Sequence, residues 1–215
     1  MKFLIFILVS FLFSAPVRAQ EAPFRIIVFG DSLSAGYNLS AADSFYGQLE
    51  KALTDKGYLD VKVINASKNG ETTRGALQRI NTVVGHNPDT VLLELGINDA
   101  FRKTPVKTIE GNLEKMITTF KSKNIPILLI GMQAPPILPA DYRKDFENMY
   151  ANLAKKHNVT LYPFFMKGIF SSTFGVPGML SKYVMADGAH PTAEGVGIMV
   201  KNLMPTLEKF LAQFE

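Results

Sequence analysis

The sequence predicts an α/β fold, a three-layer α/β/α sandwich around a five-stranded parallel sheet. Three observations carry this. Short apolar runs recur along the chain, each bounded by turn residues. Between them lie stretches with apolar residues at helical spacing, long enough to cross from the end of one parallel strand to the start of the next. Several runs (IIVF, VLLEL, ILLI) lack the alternation of a half-exposed strand, as suits strands covered by helices on both faces.

Taken in order, residues 25–30 (RIIVFG) form the first strand, ending at a glycine. Residues 44–56 place Phe45, Leu49, Ala52 and Leu53 on one helical face, and Gly57 ends the stretch. Residues 61–65 (VKVIN) alternate as a short strand. Residues 72–84 read as one helix with Leu77, Ile80 and Val84 inward. Residues 90–95 (TVLLEL) are the third strand, and 106–123 an amphipathic helix buried through Ile109, Leu113, Met116, Ile117 and Phe120. Residues 126–132 (PILLIGM) are the fourth strand. The helix over 140–157 turns Phe146, Met149, Tyr150 and Leu153 inward, and 160–162 is a short fifth strand. The last helix spans 192–212, where Pro205 removes a backbone donor and predicts a kink.

Residues 1–19 read as a leader. Lys2 precedes an apolar run over 3–13 (FLIFILVSFLF), Pro16 breaks it, and Val17-Arg18-Ala19 fits a cleavage site before Gln20. The run is short for a bilayer span. This predicts a signal peptide cut after Ala19, a single domain over 20–215, and a periplasmic or secreted protein without a stable membrane anchor. Losing Lys2 and Arg18 lowers the formal net charge from +4 to +2.

Composition excludes several functions. With 47% apolar and 20% charged residues the chain is not a disordered one. It has no Cys, which removes disulfides, thiolate nucleophiles, Cys-ligated metals and lipid-modified cysteine. Its three His (His86, His157 and His190) are far apart, against a His-rich zinc site. The basic residues are scattered, the densest pairs being Arg102-Lys103 and Lys155-Lys156. No basic stripe with interleaved aromatics is present, so nucleic acid is not an expected partner. Oligomeric state is left open.

In parallel α/β sheets ligands bind beyond the carboxyl ends of the strands. Four polar, glycine-bearing segments fall there: residues 30–37 (GDSLSAGY), 65–72 (NASKNGET), 96–99 (GIND) and 187–191 (DGAHP). Ser32 sits at a strand-to-helix turn, where backbone N–H groups converge. A serine nucleophile needs a base, and His190 is the one His beside a suitable carboxylate, Asp187, three residues earlier. Asp187 is placed to orient the imidazole as in a Ser-His-Asp triad. The Ser32 N–H, the Gly70 N–H and the Asn98 side-chain amide come from neighbouring strand ends and could receive an oxyanion.

These four blocks, in this order and spread over almost the whole chain, resemble the signature blocks of the SGNH, or GDSL-type, hydrolases. The resemblance implies a flavodoxin-like fold, Ser32 as nucleophile, Gly70 and Asn98 as oxyanion-hole residues, Asp187 and His190 as acid and base, and no metal or organic cofactor. The stretches LELGINDA, GMQAPP and LYPFF are similar to the bacterial arylesterase, thioesterase and lysophospholipase branch, which is exported to the periplasm. That branch often continues Gly-x-Asn-Asp-Gly. Here Ala100 and Phe101 follow Asp99, a departure in the substrate loop. Ser34 stands where a Gly-x-Ser-x-Gly elbow has its second glycine.

The remaining polar residues read as structural. Asp31 and Asp99 hold turns, His86 lies in a loop, and His157 ends a helix whose dipole favours a cation. Ala100, Phe101, Met132, Ala134, Pro135, Pro136 and Ile137 are expected to line an acyl or aryl pocket, while Phe164, Phe165 and Met166 are assigned to the core. Residues 170–182 (FSSTFGVPGMLSK) read as a mobile flap. The resulting expectation is a serine esterase for small acyl or aryl esters, thioesters or lysophospholipids. One alternative is a carbohydrate O-acetylesterase with the same catalytic set, disfavoured by the apolar GMQAPPILP segment. Others are a non-catalytic flavodoxin-like binding protein and a metal phosphoesterase using Asp31, Asp99, Asp187 and His190.

Overall fold

The structure, a computed structural model, describes residues 23–170 and 179–214. The expected leader and residues 171–178 of the expected flap lie outside the described residues. Five strands, β1 (Phe24–Phe29), β2 (Val61–Asn65), β3 (Thr90–Glu94), β4 (Ile127–Ile130) and β5 (Thr160–Tyr162), pair in the order β2-β1-β3-β4-β5, all parallel. Ile27 lies beside Ile64 on one side and Val91 on the other. The strand order reverses between β1 and β3, so their carboxyl ends form the switch point where ligands bind in such sheets.

The helices are α1 (Ser32–Ala35), α2 (Phe45–Asp55), α3 (Thr73–Gln78), α4 (Ile80–Val84), α5 (Ile97–Phe101), α6 (Val106–Ser122), α7 (Ala140–His157), α8 (Met179–Tyr183) and α9 (Ala193–Leu211). Helices α2 and α9 pack together, and α6 packs between α3 and α7. These two groups are the outer layers of the expected three-layer α/β/α sandwich. Ile26 to Phe29, Val91 to Leu93 and Leu128 to Ile130 are fully buried between them, which is why these strands carry no polar alternation. Phe29 meets Phe120 edge to face at 6.2 Å, and Phe45 meets Phe165 at 4.7 Å. Phe165 and Met166 thus belong to the core, as expected.

Side-chain caps set the starts of α2, α3 and α9. Ser44, Thr72 and Thr192 accept from the N–H groups of Gly47, Gly75 and Gly195. One expectation is corrected. The single helix over 72–84 is broken at Arg79, whose guanidinium bonds the Glu71 carboxylate and lies over the Phe29 ring at 4.7 Å. Its buried face is Thr73, Ala76, Ile80 and Val83, with Leu77 and Val84 only half-buried. The last helix, α9, contains Pro205.

Candidate active site

The turn after β1 presents Ser32. Asp31 is the N-cap of α1 and accepts the Leu33 N–H at 3.0 Å, so Ser32 occupies the first helical position. An N–H there has no partner within its own helix and points outward. The Ser32 hydroxyl oxygen lies 2.8 Å from His190 Nε2. His190 Nδ1 lies 2.8 Å from Asp187 Oδ2. The other carboxylate oxygen of Asp187 accepts the N–H groups of Ala189 (2.9 Å) and His190 (3.0 Å). These backbone donors, with the His190 ring, hold the Asp187 carboxyl down to about 2. The loop is closed by Gly188 N–H donating to the Met185 carbonyl and by an antiparallel bridge between Val184 and Pro191. The Tyr37 ring lies against the His190 ring, 4.3 Å between centroids.

Two more strand ends reach the same place. After β2, Gly70 adopts φ +70°, where a side chain would be strained, and an added Cβ would meet nothing within 4 Å. The turn closes through Glu71 N–H to the Lys68 carbonyl, and Arg102 donates to the Gly70 carbonyl at 3.3 Å. After β3, Asn98 lies in the first turn of α5, and its Nδ2 donates to Asp31 Oδ2 at 3.0 Å. The neighbouring Asp99 is buried and accepts both the N–H and the hydroxyl of Thr73, each at 2.8 Å. That bond ties the β3 turn to the segment carrying Gly70. Burial pushes the Asp99 carboxyl up, against the Thr73 bonds that pull it down. Tyr150 of α7 braces the turn from behind through its hydroxyl, which donates to the Leu95 carbonyl at 2.9 Å.

Sequence reasoning missed one residue entirely. Glu94, the last residue of β3, is fully buried beneath the turn that carries Ser32. Its Oε2 accepts the Ser34 hydroxyl at 2.8 Å and the Asp31 N–H at 3.3 Å. Burial and the Asp31 carboxyl push Glu94 well above the usual range, and burial pushes Asp31 up to about 7. The available signal was a lone acidic residue inside an otherwise apolar run. Asp31 does more than hold its turn, because its carboxylate also accepts an N–H of Asn98.

The expected pocket residues divide. Ala100 has no exposed surface, and Met132 and Ala134 have almost none. They are part of the buried apolar core. Pro135 is half-buried and Pro136 exposed. Phe101 and Ile137 are 56% and 90% exposed, and both follow strand carboxyl ends. A surface cleft of about 680 Å³ lined by Tyr46, Glu50, Lys51 and Lys62 contains none of the expected site or pocket residues. His157 pairs with Glu114 at 2.8 Å at the far end of α7, away from Ser32. Asp31 and Asp99 face Asn98 and Thr73 rather than converging with Asp187 and His190. Among the described residues no cluster of three or more His, Asp or Glu is placed to hold a metal.

This arrangement has relatives. The sequence profile of the GDSL-like Lipase/Acylhydrolase family matches residues 28–198. An arylesterase of Vibrio mimicus is 35% identical, the match covering 94% of this chain and 93% of the relative. The thioesterase 1/protease 1/lysophospholipase L1 of Escherichia coli is 31% identical over 95% of this chain and 92% of the relative. Among solved structures, the psychrotrophic esterase EstA from Pseudoalteromonas sp., inhibited by monoethylphosphonate, superimposes with a TM-score of 0.79 at 28% identity, covering 88% of this chain and 99% of that one. The chain belongs to the GDSL-like lipase/acylhydrolase, or SGNH, family and is a hydrolase acting on esters.

Proposed function

We propose that the protein is an exported serine esterase that cleaves carboxylic esters or thioesters bearing acyl or aryl groups through an acyl-enzyme. The observation that carries this reading is the unbroken chain Asp187–His190–Ser32, with both side-chain contacts at 2.8 Å. His190 takes the Ser32 proton as the hydroxyl oxygen attacks the carbonyl carbon. The charge that develops on the carbonyl oxygen is received by the Ser32 N–H, the Gly70 N–H and Asn98 Nδ2. His190 then protonates the departing alcohol or thiol, leaving the acyl group on Ser32. Water repeats the sequence, delivering its proton to His190 and its oxygen to the acyl carbon, and the acid leaves. Asp187 stays ionised and fixes the imidazole orientation.

The names of the relatives support aryl, thioester and lysophospholipid substrates, and the exposed Phe101 and Ile137 favour apolar acyl or aryl groups over a sugar. The charged, apolar and small-residue pattern of residues 1–19 supports export to the periplasm. The test is a serine-directed fluorophosphonate together with a panel of p-nitrophenyl esters, acyl-CoA and lysophospholipid. Labelling is expected at Ser32, and Ser32→Ala is expected to lower ester hydrolysis by roughly 10⁴-fold or more in a folded protein. Labelling at Ser34 or Ser67 with activity surviving in Ser32→Ala rejects the assignment.

A further inference from the structure

Two fully buried carboxyl groups, Asp31 and Glu94, lie under the nucleophile turn. Neither makes an ion pair with a cation among the described residues. Two uncompensated buried charges this close are too costly to coexist, so the pair keeps at least one proton. The hydrogen bonds say which group holds it. Asp31 accepts an N–H on each oxygen, from Leu33 at 3.0 Å and from Asn98 at 3.0 Å. An N–H can only donate, so both bonds favour the carboxylate form. Glu94 accepts the Ser34 hydroxyl and the Asp31 N–H on Oε2 alone, and its buried Oε1 has no partner. An ionised carboxylate with one bare buried oxygen is the costlier of the two anions.

The local backbone is built for this approach. A Cβ at Gly30 would lie 2.6 Å from Glu94 Oε2 and from the Ser34 hydroxyl oxygen, so only glycine lets the Glu94 side chain reach the turn. Asn98 completes the sequence. A carboxamide carries two N–H bonds on one nitrogen. One is taken by Asp31, and the other is left for the substrate.

We propose that Asp31 and Glu94 are a positioning pair for the oxyanion donor: Glu94 keeps the proton and anchors the nucleophile turn from beneath, while the Asp31 carboxylate holds one Nδ2 hydrogen of Asn98 so that the other faces the reacting carbonyl. This rests on Asn98 having the role given above. Asparagine in place of Asp31 tests it, because the shape is kept and the polarity is not. Its single amide oxygen stays with the Leu33 N–H, and its NH₂ then confronts the Asn98 NH₂. Asn98 must turn its carbonyl toward residue 31 and withdraw the donor from the oxyanion.

The experiment uses the full enzyme and a short, soluble p-nitrophenyl ester. Asp31→Asn is expected to lower kcat by roughly 10²-fold or more with KM within about threefold, the split expected of Asn98→Ala. The double variant is expected to fall no more than about threefold below Asn98→Ala. Losses that multiply, or a change confined to KM, overturn the proposal. Two measurements avoid reliance on the folding of the Asp31 variant. In the wild type, one Asn98 Nδ2 proton, assigned by its absence in Asn98→Ala, is expected to exchange slowly with water and its twin quickly. Equal exchange overturns the proposal. The infrared carbonyl band of a neutral buried carboxylic acid is expected in the wild type and lost in Glu94→Gln, whose kcat falls less than that of Asp31→Asn. A wild type without the band, or a Glu94→Gln as impaired as Asp31→Asn, overturns the proton assignment and the proposal with it. Activity surviving in Ser32→Ala rejects the functional reading itself. A dead Ser32→Ala beside independent effects of Asp31 and Asn98 rejects only the positioning pair.

Discussion

The Asp187 carboxylate holds His190 twice, at the ring through Oδ2 and at the backbone N–H through Oδ1. One residue thus fixes both the direction of the imidazole and the loop that delivers it. Asp187→Asn is expected to keep the loop bond to Oδ1 and lose the compensating charge. Its kcat should fall, but by at least about tenfold less than in His190→Ala, which removes the proposed base itself. Steady-state kinetics of both variants on one ester decide this, and equal losses would argue that Asp187 does more than orient.

The depressed carboxyl of Asp187 also fixes a stability window. Its folded-state value of about 2 lies below the ordinary 3.8. The stabilisation is therefore complete above about pH 4 and lost as the pH falls toward 2. Melting curves of the wild type and Asp187→Asn should lie apart at pH 5 and converge near pH 2. Curves that stay equally separated down to pH 2 would show that the ionised form is not what the loop holds. Because Asp187 stays charged throughout the neutral range, any acid loss of kcat/KM near neutrality belongs to other groups.

The sheet was legible because β1, β3 and β4 are apolar on both faces, and burial on two sides leaves a pattern that needs no partner to be read. The pairing of Asp187 with His190 was legible for a local reason. Asp187 and His190 are three residues apart, and one carboxylate oxygen takes the N–H groups of the turn between them. What escaped depends on partners distant in the chain. The break at Arg79 is accompanied by its contacts with Glu71 and Phe29, fifty residues from the latter. Glu94 carries no functional assignment in the sequence alone because its partners, Asp31 and Ser34, belong to the turn after another strand. Ala100 was assigned to a pocket from its place after Asn98, yet α5 turns that position into the core while Phe101, one residue on, stays open.

Gly70 tests the proposed second oxyanion donor. Its φ of +70° costs an L-residue roughly 1–2 kcal/mol, while an added methyl meets no atom. Gly70→Ala should therefore fold, with a melting point lowered by a few degrees. If the backbone shifts to relieve φ, the N–H leaves the oxyanion position and kcat should drop by about 10-fold to 100-fold with KM little changed. An Ala variant with full kcat would place the donor elsewhere.

Glu94 makes a stability prediction with the opposite sign to that of Asp187. Burial raises its carboxyl well above the ordinary 4.5. As the pH rises past that value the unfolded chain sheds the proton and the folded chain keeps it. The folded state then loses stability from this group as the pH rises. Glutamine at 94 cannot titrate. The stability of Glu94→Gln relative to the wild type should therefore increase between pH 5 and pH 8, measured by urea midpoints. A gap that narrows over this range would mean that Glu94 is ionised in the folded protein.

Phe101 and Ile137 address substrate choice. Both are large, apolar and exposed beyond the carboxyl ends of β3 and β4, the edge on which Ser32 opens. Exposed apolar side chains at a site gain by covering an apolar substrate group, at about 0.8 kcal/mol per buried methylene. An acetyl group is too short to use such a surface, whereas an octanoyl chain can lie along it. In the wild type kcat/KM should rise with acyl length, and Phe101→Ser or Ile137→Ser should flatten the rise. The expected loss is roughly fivefold to tenfold for the octanoyl ester and smaller for the acetyl ester. Folding stability should change by less than about 0.5 kcal/mol, since neither side chain is packed in the core. The panel of p-nitrophenyl esters run on both variants separates the outcomes. Equal losses at every chain length would assign these side chains to loop structure and leave the acyl group to another surface.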